Sequence, residues 1–410
     1  MTTNRHDFTA AAPPAARSGT LTRARRRSTR RLRASSAVIV VAALAAVGCA
    51  PEPPPATAPP STVQERLQAA VDQARGEQIA PGAIVLVESP DGTFTLTSGT
   101  VGEGSTVTPD PDDRTRIGSL TKTMTATILL QLVEDGLVDL DDLVSEHLDP
   151  AFLAGLPYAA TVTLRDLAHM TSGIAPYSLS DAFQAQLFAD PEAVWTPEQL
   201  VDFARPLDAW APLDTTGWQY SNTNYILLGM VIEQVTQDPL AQVFQDRLFG
   251  PLGMSDTSFP EPGVNTMVAP YLSGVTAQGQ PEGTTTDATD WNPSEAWSAG
   301  GVVSTLADLA KWGHALFTGE GVLDPATQQL RRDSILHSPP PLSAASGYGI
   351  GIGESHGWWG HDGQIPGYTS SLQHDYGTDT TVIVLANSDV APPGGSPARA
   401  ISEAVRAELG

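Results

Sequence analysis

Apolar positions set the first landmarks along this chain. Val63, Leu67, Ala70, Val71 and Ala74 recur at helical spacing, and Thr62 with Glu65 makes a capping-box pattern, so a helix is expected to start at Thr62. Two β-rich runs follow, "GAIVLVE" and "TFTLTSG", joined through Pro90-Asp91-Gly92, which predicts a hairpin. From about 119 to 340 the pattern is mostly helical and broken by Gly/Pro loops, with helices expected over Thr196 to Ala204, Thr223 to Val235, Leu240 to Phe249 and Thr305 to Phe317. Strand character returns between Gly347 and Ala386 in "GYGIGIG", "GWWGH", "YTSSLQH" and "TTVIVLA", and a last helix is expected from about Pro397 to Leu409. Strands near both ends of this region with helices between them predict an α+β fold. The expectation is one antiparallel sheet built from both ends, flanked by helices and carrying an inserted helical subdomain, with a cleft between sheet and insertion.

The segment before Thr62 is of another kind. Residues 1–48 hold nine arginines and one acid, Asp7, and lead into an unbroken apolar run from Ala37 to Val47. That run is shorter than the ~20 residues of a spanning helix and suits the apolar core of a secretory signal. Cys49, the only cysteine, follows directly. It resembles the lipid-attachment cysteine of bacterial lipoproteins, with Ala46-Val47-Gly48 before it and alanine at a position where leucine is usual. An ordinary cleaved signal is the alternative, and Arg30-Arg31 also allows the twin-arginine route. Six prolines between Ala50 and Pro60 make an extended spacer. The expected organisation is a signal peptide over 1–48, a lipidated cysteine and linker over 49–61, and a folded domain over 62–410, tethered to the outer face of the bacterial cytoplasmic membrane.

Charge sharpens this picture. Without residues 1–48 the chain carries 22 − 9 = 13 basic and 46 − 1 = 45 acidic residues, a net charge of −32. Such a body repels phosphate backbones, which argues against nucleic acid as a partner. Among the basic residues only Lys122 and Lys311 are lysines. Lysine loses its proton when buried, whereas arginine stays charged at any physiological pH. Lys122 stands three residues after Ser119, on one face of an expected helix rich in Met124, Ile128, Leu129 and Leu132. Ile117-Gly118 predicts a turn that places Ser119 at the helix start, where free backbone N–H groups favour an oxyanion. Bringing the amine from ~10.4 to near 7 costs roughly 4 kcal/mol of differential solvation, which an apolar surrounding supplies.

Two more stretches offer partners. In "WQYSNTNY", Tyr220 beside an amine can shuttle a proton, and Asn222 can donate to a substrate carbonyl; a capping loop is the bland alternative. In "WWGHDGQIPGY", His361 is expected to face the cleft, and Gly363 allows a ligand close to the backbone. The N–H of Gln364 would then join that of Ser119 in an oxyanion hole. The bland alternative here is a half-buried histidine among turn glycines.

Taken together, Ser119-x-x-Lys122, Tyr220-x-Asn222 and His361-x-Gly363 resemble the serine β-lactamase and penicillin-binding-protein family. The nearest branch holds class C β-lactamases, D-alanyl-D-alanine carboxypeptidases and related esterases. "LAHMTSGI", "FGPLGMSDT" and "SAGGVVSTLADLAKW" resemble its connecting stretches, and the likeness covers residues 62 to 410. The resemblance implies a serine hydrolase working through an acyl-enzyme on Ser119, with Lys122 and Tyr220 moving its proton. Asn222, His361 and Gly363 would bind a small-molecule or peptide substrate, and no metal or organic cofactor is implied. One departure stands out: Asp362 occupies the position where the family's peptidases and β-lactamases carry a hydroxyl that helps hold a substrate carboxylate. Turned inward, Asp362 makes a like-charge contact that costs of order 1 kcal/mol or more, which counts against carboxypeptidase and β-lactamase activity and leaves ester or uncharged amide substrates; the alternation of strand neighbours also allows it to point away from the cleft.

Rival readings are weaker. "GESHG" fits a Gly-x-Ser-x-Gly elbow around Ser355, but a strand-like run follows where a helix is required. His356 and His361 lack metal-ligand spacing. A non-catalytic lipoprotein using this fold for binding or sensing remains the alternative from another class. His169, Lys311, Trp358 and Trp359 are expected to be structural or solvated residues.

Overall fold

The computed structural model describes residues 62–78, 80–209, 217–259, 271–281, 283–391 and 395–410. The expected signal, Cys49 and proline-rich linker lie outside the described residues. Helix α1, Val63–Glu77, opens with the capping box, Thr62 and Glu65 each bonding the other's backbone N–H. Strands β1, Gly82–Ser89, and β2, Gly92–Gly99, pair antiparallel from Gly82↔Gly99 to Ser89↔Gly92. The catalytic-motif helix α2 spans Thr121–Glu134, and helix α3 spans Asn222–Thr236. Helix α4 is Leu306–Thr318. The late strands are β3, Ser346–Tyr348; β4, Gly353–Ser355; β5, Trp358–Ile365; β6, Tyr368–Asp375; and β7, Thr380–Ala386. Helix α5, Pro397–Leu409, follows.

These seven strands form one sheet in the order β2-β1-β7-β6-β5-β4-β3. The early hairpin meets the late meander where β1 pairs antiparallel with β7, Ala83 opposite Ala386. Period-2 alternation sorts the central strands between two cores. Ala83, Val85, Val87, Val382 and Val384 pack with Leu67 and Val71 of α1 and Ile401 and Val405 of α5. Ile84, Leu86, Leu372, Ile383 and Leu385 face the larger core, which contains Met124, Ile128 and Leu129 of α2 and Ile226 to Leu228 of α3. Burial on both faces explains why β1 and β7 are near-continuous apolar runs. Each such side chain contributes ~1.5–3 kcal/mol.

One expectation needs adjustment. Leu240 to Phe249 is not one helix: an α segment Leu240–Phe244 passes into a π turn Gln245–Phe249. Lys311 is an exposed residue of α4, as expected, and donates to Asp308 at 2.8 Å and to the Gly253 carbonyl at 2.5 Å. Gly-Glu-Ser-His-Gly around Ser355 forms β4 and its turn into β5, in keeping with a strand-like run and not an elbow.

Candidate active site

Strand β4 covers only Trp358 to Gly360 of β5. From His361 to Ile365 the outer edge of β5 has no strand partner among the described residues, and a cleft of about 540 Å³ opens beside it. Ser119, Trp218, Tyr220, Tyr348, His361, Gly363 and Gln364 all line it.

Ser119 sits in a 3₁₀ turn, Gly118–Leu120, one turn ahead of α2 rather than in the α-helix itself. Gly118 has φ +51°, and a Cβ there would stand 2.6 Å from the Gln364 nitrogen. A Cβ on Gly363 would meet the Ile117 carbonyl oxygen at 2.0 Å and Ser370 Oγ at 2.2 Å. Gly363 therefore makes room for the nucleophile's own turn, where the sequence pointed to close approach of a ligand. Ser370 Oγ donates to the Ile117 carbonyl at 2.7 Å and fastens the two segments. This contact places the Ser119 turn directly against the backbone of Gln364.

Lys122 is fully buried on α2. Its Nζ lies 2.9 Å from Ser119 Oγ and donates to the Ala299 carbonyl at 2.5 Å. The short helix Trp297–Gly300 supplies that carbonyl. Burial holds the Lys122 pKa well below that of a free lysine, and the charge of Glu295 opposes this only in part. Glu295 is itself buried, and its carboxyl is raised to about 7 by burial, against the pull of Arg116 and Lys122. Burial thus biases the amine next to Ser119 towards its uncharged form.

Tyr220 precedes Ser221, the N-cap residue of α3. The neighbouring Gln219 N–H donates to the Met170 carbonyl, which fixes the approach to the cleft. The Lys122 Nζ is 4.9 Å from the Tyr220 ring centroid. Burial raises the phenol's pKa, and proximity to Ser119 lowers it less. The Tyr220 hydroxyl is buried without a formed hydrogen bond. It faces Ser119 as a neutral acid, free to bond to a substrate atom.

His361 has both nitrogens engaged. Nδ1 is 2.6 Å from the Asp362 carbonyl, which can only accept, so Nδ1 carries the hydrogen. Nε2 then accepts from Tyr348 Oη at 3.1 Å. Burial, with the charge of Lys122, lowers the His361 pKa to about 4, so the ring is neutral at physiological pH. Asp362 points to the other face of β5. Its Oδ1 accepts from Ser371 Oγ at 2.7 Å and Gln373 Nε2 at 3.1 Å, and its Oδ2 is 3.2 Å from Arg399 Nε. Asn222 does not line the cleft; as the first residue of α3 it donates through Nδ2 to Ser178 Oγ at 3.2 Å.

Sequence reasoning missed Tyr348, Glu295, Trp218 and Arg399. "GYGIGIG" showed a strand but not that its tyrosine would hold His361 across the intervening strand β4. No group of His, Cys, Asp and Glu able to hold a metal ion occurs among the described residues.

A sequence model of the beta-lactamase family matches residues 67–406. The chain belongs to the beta-lactamase family. Penicillin-binding protein 4 of Amycolatopsis lactamdurans is 29% identical over 79% of this chain and 85% of that protein. A D-stereospecific amidohydrolase from Streptomyces sp. is 30% identical with a TM-score of 0.72, covering 84% of this chain and 97% of that one. The D-amino acid amidase of Ochrobactrum anthropi SV3, solved with L-phenylalanine amide, is 29% identical with a TM-score of 0.70, covering 85% and 97%. The α+β architecture is that of these beta-lactamase-family neighbours, and the chain is a serine hydrolase.

Proposed function

We propose that this beta-lactamase-family enzyme cleaves esters and amides whose leaving group carries no carboxylate, through an acyl-enzyme on Ser119. The observation that carries the reading is the buried Lys122 amine, its pKa held well below that of a free lysine, 2.9 Å from Ser119 Oγ. Ser119 Oγ attacks the substrate carbonyl while its proton passes to Lys122. The N–H groups of Ser119 and Gln364 receive the oxyanion. Tyr220, a neutral phenol, gives its proton to the departing oxygen or nitrogen and is reprotonated from Lys122. Water then attacks the acyl-enzyme, losing its proton by the same route reversed, and the acid is released.

The substrate class follows from Asp362. Arg399 lines the cleft, but its charge is held by Asp362 at 3.2 Å and Glu403 at 3.6 Å. A substrate carboxylate would have to displace a carboxylate already bound. Amide substrates in the names of the Streptomyces amidohydrolase and the Ochrobactrum amidase agree with this reading. We place the enzyme outside the cytoplasm, tethered through Cys49; a Cys49→Ser chain that still incorporated labelled palmitate would refute the tether.

The test is a fluorophosphonate probe with peptide mapping, followed by p-nitrophenyl esters, nitrocefin and a D-Ala-D-Ala peptide. Label on Ser119 with ester cleavage and little nitrocefin turnover is expected. Rapid nitrocefin turnover refutes the role given to Asp362. No label on Ser119 supports the alternative, a binding or sensing module.

A further inference from the structure

The end of the cleft beyond Tyr220 has a chemistry that the hydrolase reading alone does not use. Tyr220 is the leaving-group acid in that reading, and its ring abuts Tyr348 at 6.1 Å and 84°. Trp218 leans on Tyr348 in turn, centroids 5.5 Å apart and planes at 55°. The two rings therefore meet as an angled wall instead of enclosing a flat slot. Leu342 and Glu354 line the same cleft. The Trp218 indole N–H is buried with no acceptor.

Glu354 is a carboxylate lining this end, and His337 is its one ion-pair contact among the described residues. Its side chain is 10% exposed. Oε1 accepts the Gly357 N–H at 2.6 Å. Oε2 is 3.8 Å from His337 Nδ1, beyond hydrogen-bonding range, and that nitrogen already donates to the Ser343 carbonyl at 3.2 Å. The cations nearby are committed: Arg399 to Asp362 and Glu403, and Arg406 over the Trp358 ring at 5.1 Å. Aromatic faces around a carboxylate with a spare lone pair are the recognition chemistry of organic cations. A body with a net charge of −32 raises the local concentration of such cations further.

We propose that the leaving-group end of this cleft selects an organic cation, so that preferred substrates release an alkylammonium-bearing alcohol or amine. This rests on the hydrolase reading above and narrows its substrates. The ammonium would sit against Trp218 and Tyr348 with Glu354 as its counter-charge, while the scissile carbonyl stays at Ser119.

The experiment compares a choline ester with the 3,3-dimethylbutyl ester of the same acid, at constant ionic strength. These leaving groups have the same shape and differ in charge. A kcat/KM ratio of about tenfold in favour of choline is expected, falling towards one in both Glu354→Gln and Trp218→Leu. A ratio near one in the unmodified enzyme overturns the proposal. So does a preference that survives both substitutions, because the overall negative field would then be its source. A second measurement needs no variant: choline should slow fluorophosphonate labelling of Ser119, and 3,3-dimethylbutanol at equal concentration should not. Labelling of Ser119 without protection by choline overturns this inference alone. Failure to label Ser119 at all removes the hydrolase reading, and this one with it.

Discussion

Arg116 and Lys122 stand six residues apart, both fully buried, and burial lowers the pKa of each from very different starting values. Arg116 donates to the carbonyls of Ala288, Thr289 and Trp291. Its guanidinium also lies 5.5 Å from the Tyr368 ring centroid. Burial lowers its pKa, but from so high a starting value that the cation persists. Lys122 meets one carbonyl and one hydroxyl. With so little to replace its hydration shell, the charged form of the amine is disfavoured. Burial alone therefore does not decide charge; the starting pKa and the acceptors waiting inside decide it as well. Arg116 braces the loop over 288–291, and Lys122 is poised to act as a base.

The contrast is broken most severely by exchanging the side chains. Lys122→Arg installs a group that cannot act as a base, and kcat/KM is expected to fall about 10³-fold. Ester hydrolysis together with the rate of Ser119 labelling checks this, and retention of a tenth of the activity would sink it. Arg116→Lys is the reverse test. One ammonium cannot span three carbonyls with the same geometry, so urea denaturation should show a loss of about 2–3 kcal/mol. An unchanged midpoint would show that the carbonyls do not hold the charge.

Acidity sharpens the comparison more gently. The folded pKa of Lys122 lies below its unfolded value of about 10.4. Between those values the unfolded chain binds the extra proton, so the side chain's contribution is full above the unfolded pKa and declines as pH falls. The stability difference between the unmodified enzyme and Lys122→Met should thus shift against the lysine as pH is lowered from 10 to 7. A flat difference across that range contradicts a depressed pKa. The smallest effect concerns Glu295, whose charge acts on both cations. Glu295→Gln removes a negative charge that favours the protonated amine, so the acid limb of the kcat/KM profile should move to lower pH. Movement to higher pH would show that Glu295 supports the base by another route.

How far the sequence carried these conclusions depended on distance along the chain. The β1–β2 hairpin, α5 and the Ser119–Lys122 pair were legible because each is a local pattern of spacing and turn residues. The meeting of β1 with β7 was legible only as an inference from strands near both ends. Interactions between distant segments were not legible. Tyr348 and His361 meet across the intervening strand β4, and Asp362 finds Arg399 on a helix 37 residues later. The Asn222 amide meets Ser178, 44 residues earlier, a contact that no local pattern shows. Gly363 was correctly marked as a point of close approach, but the approaching group is Ile117.

That last contact has a bearing on biosynthesis. Residues 117–119 emerge from the ribosome some 250 positions ahead of the strand they lean on. Until that strand arrives, the serine has no second amide beside it and no settled orientation. A growing polypeptide thus lacks the Gln364 amide beside Ser119 until the late meander folds back onto the early turn.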